Sequence, residues 1–303
     1  MSTLSQPSLD QWRVLQEVVD HGSFAAAAEH LHRSQSAVSH AVHQLQERLP
    51  VAILVQRGRR TVLTDAGEAL LRRSRALTDE AGALDALAHN LAAGWAAEIT
   101  LAADAISPPE LVMRALTAFG ERSPWTRIDL HETVLSGTRA AIVERRVDLA
   151  LTTQVPPGFA FEALAEVEFV AVASPDHVLH QLGRTLAFSD LKSHRQLVVR
   201  DTGPQALDAG WLGAEQRWTV SHMRTSIDAI RRGLGFAWIP RDLIAEDLAE
   251  DRLRPLPLET GGTRRATLNL VEVAADGGGP ATRALADILR AEGARREKDR
   301  RPG

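Results

Sequence analysis

The sequence contains no cysteine and no tyrosine. Without thiols it has no disulfide framework, no thiolate metal site and no thiol redox switch. Lysine is almost missing as well: Lys192 and Lys298 are the two lysines among 35 basic residues, and the rest are arginine. Together with abundant alanine, this skew reads as genomic base composition and not as a chemical choice of guanidinium. Aromatic residues make up 4% of the chain. No apolar run approaches the roughly 18–20 residues that span a bilayer, so no membrane partner is expected. Residues 1–12 lack the basic start and apolar core of a secretory leader, which makes the cytoplasm the expected location.

What is present is the composition of a globular protein. The chain has 303 residues, 44% hydrophobic and 24% charged, enough for two or three domains with a sizeable core and unlike a disordered or collagen-like chain. A net charge of −4 argues on its face against nucleic acid, yet residues 1–75 carry nine arginines against seven acids. The location of a basic face therefore matters more than the total.

The first ninety residues read as helices. Ser8-Leu9-Asp10-Gln11 fits a capping box, and Leu9, Trp12, Leu15, Val18 and Val19 recur near helical spacing up to His21-Gly22. A second helix starts at Ser23, with Phe24, Ala27, Ala28 and Leu31 on one narrow face of mostly small side chains. After His32-Arg33, Ser34 is placed to cap a third helix over about 35–49. Its buried stripe is Val38, Val42, Leu45 and Leu49, and its polar stripe, free of carboxylates, is Ser36, Ser39, His40 and His43. Pro50 stops it. Residues 53–56, the turn Arg57-Gly58-Arg59-Arg60 and Thr61-Val62-Leu63 read as a short β-hairpin. Thr64 caps a long helix to about residue 93, in which Leu70, Leu77, Leu84 and Leu91 sit seven apart. With no local core to cover, that seam predicts a coiled-coil partner.

Two helices joined by a short turn and followed by a wing have the geometry that enters a DNA major groove. Serine and histidine can read base edges, Arg33 and Arg48 can reach phosphates, and Arg57, Arg59 and Arg60 suit the backbone or minor groove. Between positions 57 and 75, six arginines face two acids. The residues alone leave two readings open: a DNA-reading motif, or a small helical bundle with a solvated arginine turn.

From Glu98 the pattern becomes α/β. Strands are expected at 99–103, 127–134, 148–151, 169–173, 196–200, 218–224, 236–239 and 267–273, with helices at 108–119, 137–145, 227–232, 242–248 and 281–292. Such alternation argues for parallel sheets with helices on their faces. Ser107-Pro108-Pro109-Glu110 reads as a capping box directly after a strand. Helix N-termini there point amides into the crevice at the strands' carboxyl ends, a natural site for an anion or polar ligand. By the same logic Thr133, Thr152, Asp201, Thr202 and Ser226 face that crevice, each with plain capping as the alternative.

Residues 22–71 closely resemble the N-terminal winged helix-turn-helix of LysR-type transcriptional regulators. The shared elements are Gly22-Ser23-Phe24, the alanine pair before Leu31, Ser34-Gln35-x-Ala37-x-Ser39, Leu45-Gln46-Glu47-Arg48-Leu49, Arg57 and Arg60 of the wing, and Leu63-Thr64-x-Ala66-Gly67-Glu68. Ser36 stands where that family often has proline, and His40 and His43 where arginine or other long polar residues are common. Arg146-Val147-Asp148-Leu149-Ala150-Leu151 and Gly233-Leu234-Gly235-Phe236-Ala237-Trp238-Ile239-Pro240 extend the resemblance, which runs from about residue 8 to 293.

The resemblance implies an α plus α/β architecture: a winged helix-turn-helix DNA-binding domain (1–65), a linker dimerisation helix (66–94), and a two-lobed, periplasmic-binding-protein-like effector domain (98–293). Lobe I would comprise about 98–168 and 268–293, and lobe II about 169–267; residues 294–303 are expected as a disordered tail. The implied protein is a ligand-responsive regulator that binds double-stranded operator DNA. Its DNA-binding set is Arg33, Ser34, Gln35, Ser36, Ser39, His40, His43, Arg57, Arg59 and Arg60. A small-molecule effector would lie between the lobes at Ser107, Thr133, Thr152, Asp201, Thr202 and Ser226. Dimers through the linker helix, often assembled into tetramers, are implied, and RNA polymerase is an open further partner. No cofactor or metal is expected: His40 with His43, or His30 with His32, could chelate, but no carboxylate or thiolate joins them at ligand spacing. Enzyme fingerprints are missing, since Gly233-x-Gly235 meets Trp238 and precedes a strand, and neither GxxxxGK[ST] nor GxSxG occurs. Two other classes remain: a DNA-binding protein with a vestigial cleft, and a cytoplasmic solute-binding or metabolic protein.

Overall fold

The computed structural model describes residues 6–57, 60–207, 210–274 and 278–300. The chain forms two compact units, Met1–Ala93 and Gly94–Gly303.

The first unit holds helices α1 (Leu9–Asp20), α2 (Phe24–His30) and α3 (Gln35–Arg48), the antiparallel hairpin β1 (Leu54–Arg57) and β2 (Arg60–Leu63), and the long helix α4 (Asp65–Ala92). Each helix begins on a side-chain cap. Ser8 and Gln11 exchange the two bonds of a capping box, and Ser23, Ser34 and Thr64 accept from the amides of Ala26, Ala37 and Gly67. Gly22 follows α1 in the left-handed region, at φ +72°. Val14, Leu15 and Val18 of α1 pack on Ala27 and Ala28 of α2 and on Val38, Val42 and Leu45 of α3, with Ile53 and Leu71 closing the core.

Two expectations change here. Leu9 is 48% exposed; α1 instead buries Gln11 and Gln16. Gln16 Nε2 donates to Ser74 Oγ at 3.0 Å and its Oε1 accepts from Thr78 at 3.1 Å. The start of α4 therefore does cover a local core, with Leu70 and Leu71 packed into it. Past that point the seam is open: Leu77, Leu84 and Leu91 are 54%, 66% and 48% exposed.

The second unit contains, in order, β3 (Glu98–Asp104), α5 (Pro109–Arg122), β4 (Arg127–Thr133), α6 (Ser136–Val143), β5 (Leu149–Thr152), β6 (Phe161–Ala173), α7 (Val178–Gln181), α8 (Phe188–Leu191), β7 (Gln196–Val199), β8 (Arg217–Val220), α9 (Met223–Arg231) and β9 (Phe236–Pro240). A 3₁₀ turn (Arg241–Ile244), α10 (Ala245–Ala249), β10 (Arg254–Pro255), β11 (Thr263–Glu272) and α11 (Pro280–Arg300) complete it. Among the described residues these strands form one nine-stranded sheet in the order β4-β3-β5-β11-β6-β9-β7-β8, with β10 beside β6.

Parallel pairing, expected throughout, is confined to β4-β3-β5 and β9-β7-β8. In between, β11 runs antiparallel to β5 and β6, and β6 antiparallel to β9. Alternating strands and helices signal crossovers but carry no information about strands that pass from one half of the unit to the other and return. β6 begins at Phe161, well before 169, because Glu162, Glu166 and Glu168 break up an apolar run that would have marked it. Its first part packs with α5 and α11 through Leu164 and Val167, and its last part packs with α9 through Val170 and Val172. Opposite it, β11 shifts register between Leu268 and Asn269, and the buried Asn269 amide donates to the carbonyls of Thr152 and Thr267, each at 3.2 Å.

Residues 294–300, expected as a disordered tail, continue α11. Arg296 pairs with Asp242 at 2.7 Å, Arg300 donates to the Glu166 carbonyl at 2.5 Å, and Gly293 lets the helix approach the Leu164 backbone. Charge density that would keep an isolated peptide unfolded here finds partners along a helix already anchored by its apolar face. No helix among the described residues is long and apolar enough to cross a membrane.

Gly67, in the first turn of α4, has no room for a β-carbon, which would collide with the Ile53 carbonyl. That same carbonyl accepts from the Thr64 amide at 3.0 Å and so cannot retreat. Helix propensity alone predicts that Gly67→Ala stabilises by ~1 kcal/mol. Packing predicts instead a loss of about 1–3 kcal/mol, read as a lower Tm in thermal unfolding.

Candidate functional site

In the first unit, α3 buries Val38, Val42 and Leu45 and leaves Gln35, Ser36, Ser39, His40 and His43 exposed, so the structure brings the predicted polar stripe together on the surface. The stripe ends on an acid: exposed Glu47 lies 3.8 Å from His43 Nδ1, which confines the carboxylate-free face to 35–43. Ser34 is occupied as the cap of α3, 3.2 Å from the Ala37 amide, and touches Ser36 Oγ at 3.0 Å. Gln11 Nε2 donates to Gln44 Oε1 at 3.1 Å, and Gln44 Nε2 lies 2.9 Å from His40 Nε2. This relay ties the imidazole to α1, and sequence reasoning missed it, although Gln44 sits one helical turn from His40.

The arginines are placed differently from expectation. Arg33 forms a bidentate pair with Asp10 at 2.8 and 2.9 Å, and this hydrogen-bonded guanidinium holds the Asp10 carboxyl below its ordinary pKa. Both partners are exposed, and such a pair exchanges for another anion at little cost. Arg48 turns into the seam between α1 and α3, donating to Gln11 Oε1 at 2.9 Å. Arg57 is exposed and pairs in register with Arg60 across the hairpin. Arg59 and the Arg60 side chain lie outside the described residues. Glu17, His21 and His30 place three ligand-type atoms within 4.8 Å of one another, with both imidazoles turned to the Glu17 carboxylate at 3.2 and 3.5 Å. His30 thus meets a carboxylate that its sequence spacing did not show, Glu17, whereas His32, His40 and His43 belong to no such group among the described residues.

In the second unit a cavity of about 390 Å³ opens between the two halves of the sheet. Asp104, Ile106 and Leu135 line it from one half, Phe188, Trp211, Met223, Ser226 and Trp238 from the other, and Phe169 and Arg264 from the strands that cross between them. Of the six expected ligand contacts, Ser226 lines it. Ser107 is buried with no partner for its Oγ among the described residues. Its capping box does not form: α5 begins at Pro109 with Pro108 as cap residue, so Glu110 falls one position short of the reciprocal bond. Thr133 Oγ1 pairs with Thr138 at 2.7 Å, and Thr152 Oγ1 accepts from the Gln154 amide at 3.0 Å.

Asp201 and Thr202 do something else. Asp201 accepts from Ser136 Oγ at 2.5 Å and from the amides of Gly203 and Leu207 at 2.9 and 2.7 Å. Burial would raise its pKa, but these bonds outweigh it and hold the carboxyl below its ordinary value. Thr202 Oγ1 accepts from the Val134 amide at 2.8 Å. Together they latch the loop after β7 onto the start of α6, and Gly137 and Gly203 allow that approach because a β-carbon on either would strike Thr202 or Ser136.

Asp104, which sequence reasoning passed over, ends β3 inside the cavity. It accepts from the Ile106 amide at 3.3 Å, and burial, helped by the Asp201 charge, pushes its pKa up to about 7. The aromatic residues of the wall carry no periodic signal either, being separated by up to seventy positions in the chain.

A winged helix-turn-helix in one unit and a two-lobed α/β body enclosing a ligand-sized cavity in the other define a DNA-binding regulator with a ligand-sensing domain. Comparison with known proteins gives the family. Residues 92–294 match the LysR substrate binding domain, and residues 9–68 match the bacterial regulatory helix-turn-helix protein of the lysR family. The probable HTH-type transcriptional regulator YhaJ of Escherichia coli K12 is 30% identical over 263 residues, covering 84% of this chain and 87% of its own. The HTH-type transcriptional regulator CrgA of Neisseria meningitidis serogroup C is 30% identical over 272 residues, covering 86% and 89%. The solved structure of CrgA from Neisseria meningitidis superposes with a TM-score of 0.54 at 25% identity over 94% of this chain and 98% of that one. ArgP from Mycobacterium tuberculosis shares the fold, with a TM-score of 0.56 at 23% identity over 94% and 96%. The chain belongs to the LysR family, and is a DNA-binding transcriptional regulator with an effector-binding domain.

The Asp104 environment makes a pH prediction. Its folded-state pKa of about 7 lies above the ordinary 3.8, so folding favours the neutral form. The associated stability is complete below the unfolded pKa and is lost as pH rises through 7. Asp104→Asn cannot ionise, and it should unfold at a higher temperature than the parent at pH 8, by about 2–4 kcal/mol in stability, with the difference closing towards pH 4. Parallel Tm profiles from pH 4 to 8 would contradict this.

Proposed function

We propose that the chain is a cytoplasmic homo-oligomeric regulator whose α3 lies in the major groove of an operator. The observation that carries the reading is the exposed, acid-free face of α3 over 35–43, directly opposite the buried Val38, Val42 and Leu45. Ser36, Ser39, His40 and His43 read bases there. Gln35 and the α3 N-terminus at Ser34 meet the phosphate backbone. Arg57, Arg59 and Arg60 grip it from the wing, and Arg33 exchanges Asp10 for a phosphate. In this division residues 1–65 bind DNA, 66–94 dimerise and the remainder senses a ligand.

Self-association runs along Leu77, Leu84 and Leu91, which the first unit leaves uncovered, with tetramers as pairs of such dimers and RNA polymerase as a partner at promoters. An effector in the cavity biases the closure of the two halves and thereby the spacing of paired DNA-binding units. This is a population shift set by the ligand's differential affinity for the two states.

Footprinting on the DNA beside its own gene supplies the operator. On it, Arg57→Ala should weaken binding to every sequence and reduce the slope of log K against log salt by about 0.9; an unchanged slope removes Arg57 from the interface. His40→Ala should reorder affinities among single-base operator variants by about 1–3 kcal/mol at one position, whereas a uniform loss assigns it no base. Leu84→Glu should shift sedimentation to the monomer without lowering the Tm of the winged unit, and an unchanged oligomer would exclude the leucine seam.

A further inference from the structure

Aromatic side chains are scarce in this chain, yet Phe169, Phe188, Trp211 and Trp238 all line the same cavity. Ring centroids lie 5.4 Å apart for Phe188–Trp211, 5.9 Å for Trp211–Trp238 and 6.3 Å for Phe188–Trp238. The three rings are only partly buried, so the cavity meets open aromatic surface. Trp238 Nε1 donates to the Gly261 carbonyl at 2.8 Å, which fixes the indole in place. A wall of this kind favours a flat ring that stacks on it.

The charges at the cavity are asymmetric. Asp104 is 3% exposed. Arg264 is the cation in the lining, and among the described residues it has no hydrogen-bond or carboxylate partner. The nearby acid is taken: Glu168 pairs with Arg241 at 2.9 Å and with Arg265 at 3.5 Å. Arg264 faces Phe169 across the β6–β11 pair, its guanidinium 3.7 Å from the ring centroid. The surrounding protein draws its pKa below the ordinary value, as expected of a cation with no anion to balance it. An exposed guanidinium steadied over a ring keeps its planar fork of donors available, which suits a carboxylate. Two further polar atoms of the lining, Gln196 Oε1 and Ser226 Oγ, are buried and have no hydrogen-bond partner among the described residues. Gln196 Nε2 already donates to the Trp211 carbonyl at 2.7 Å, so its Oε1 is left to accept from a ligand hydroxyl or N–H.

Resting on the effector reading above, we propose that the cavity takes a small aromatic carboxylate carrying a ring hydroxyl or N–H, its ring on the Trp211–Trp238 wall and its carboxylate on Arg264. Among the described lining residues Arg264 is the one cation, set in mostly apolar surroundings with Asp104 neutral below pH 7, which disfavours sugar phosphates, and Arg264 repels polyamines. The volume of about 390 Å³ suits one or two rings.

The test titrates the full chain with 4-hydroxybenzoate and indole-3-carboxylate, against 4-hydroxybenzamide and hexanoate, by tryptophan fluorescence and thermal shift. At least one acid should quench the wall tryptophans, raise Tm and bind ~10-fold or more tightly than the amide or hexanoate. Arg264→Met should lose that ~10-fold preference while keeping its affinity for 4-hydroxybenzamide, which doubles as the check that the variant is folded. Equal binding of acid and amide, or an Arg264→Met protein that still prefers acids, overturns the carboxylate assignment, and equal binding of hexanoate overturns the aromatic one. If these acids fail while amino acids, sugar phosphates or polyamines shift Tm and the DNA footprint, the ligand class is wrong and the effector reading stands. If no compound of either set moves Tm or the footprint of a protein that still binds DNA, both fall.

Discussion

The pairing of β6 with β11 is the interaction on which the larger unit depends. β6 feeds the cores of both halves, through Leu164 and Val167 in one and Val170 and Val172 in the other, while β11 pairs along it and supplies Leu268 and Leu270 to the first. Their register also sets the ligand wall, because it places Arg264 directly opposite Phe169. A slip of one residue would turn every side chain to the other face. The bulge between Leu268 and Asn269 interrupts the ladder where the strand leaves one half for the other, and Asn269 fastens that point to β5.

A second link between the halves is not covalent. Asp201 and Thr202 reach from the loop after β7 to Ser136 and Val134 at the start of α6. These are a few side-chain bonds, against a ladder of backbone bonds in the strand pair, so the two connections differ in extent. Asp201 and Thr202, two of the six residues read from sequence as ligand contacts, thus bond across the two halves. Their chemistry, short polar groups at helix starts, serves either role, and only the approach of α6 to the β7 loop decides which.

In the smaller unit the exposed polar face of α3 exists because its apolar side and its first turn are already occupied. Its apolar stripe is buried by α1 and α2, whose alanines allow close approach, and its first turn is satisfied by Ser34. Arg48, Gln11 and Gln44 form a polar seam between α1 and α3. What remains at the surface over 35–43 is mainly a row of small hydroxyls and imidazoles, with Gln35 at its start and Glu47 beyond its end. Gly67 fixes where the long helix departs, by allowing it to cross the Ile53 carbonyl.

Local features were legible in the chain. Ser8, Ser23, Ser34 and Thr64 cap where their spacing placed them, and the two stripes of α3 separate as periodicity required, because each depends on neighbours within a turn or two; of the four heptad leucines, Leu77, Leu84 and Leu91 stay exposed while Leu70 joins the core. The motif over 22–71 pointed to the family for the same reason. The direction of β6 and β11, the partners of Arg33 and Arg48, the latch role of Asp201, and the gathering of Asp104, Arg264 and four aromatics around one cavity were not legible. Each depends on segments tens of residues apart, and no local spacing encodes which of them will meet. The sequence by itself determined the four helices of the first unit, their caps and the polar face of α3, since these follow from short-range hydrogen bonding and periodicity. Tertiary structure alone decided the cavity, because its walls come from strands and loops that become neighbours only when the sheet closes around them.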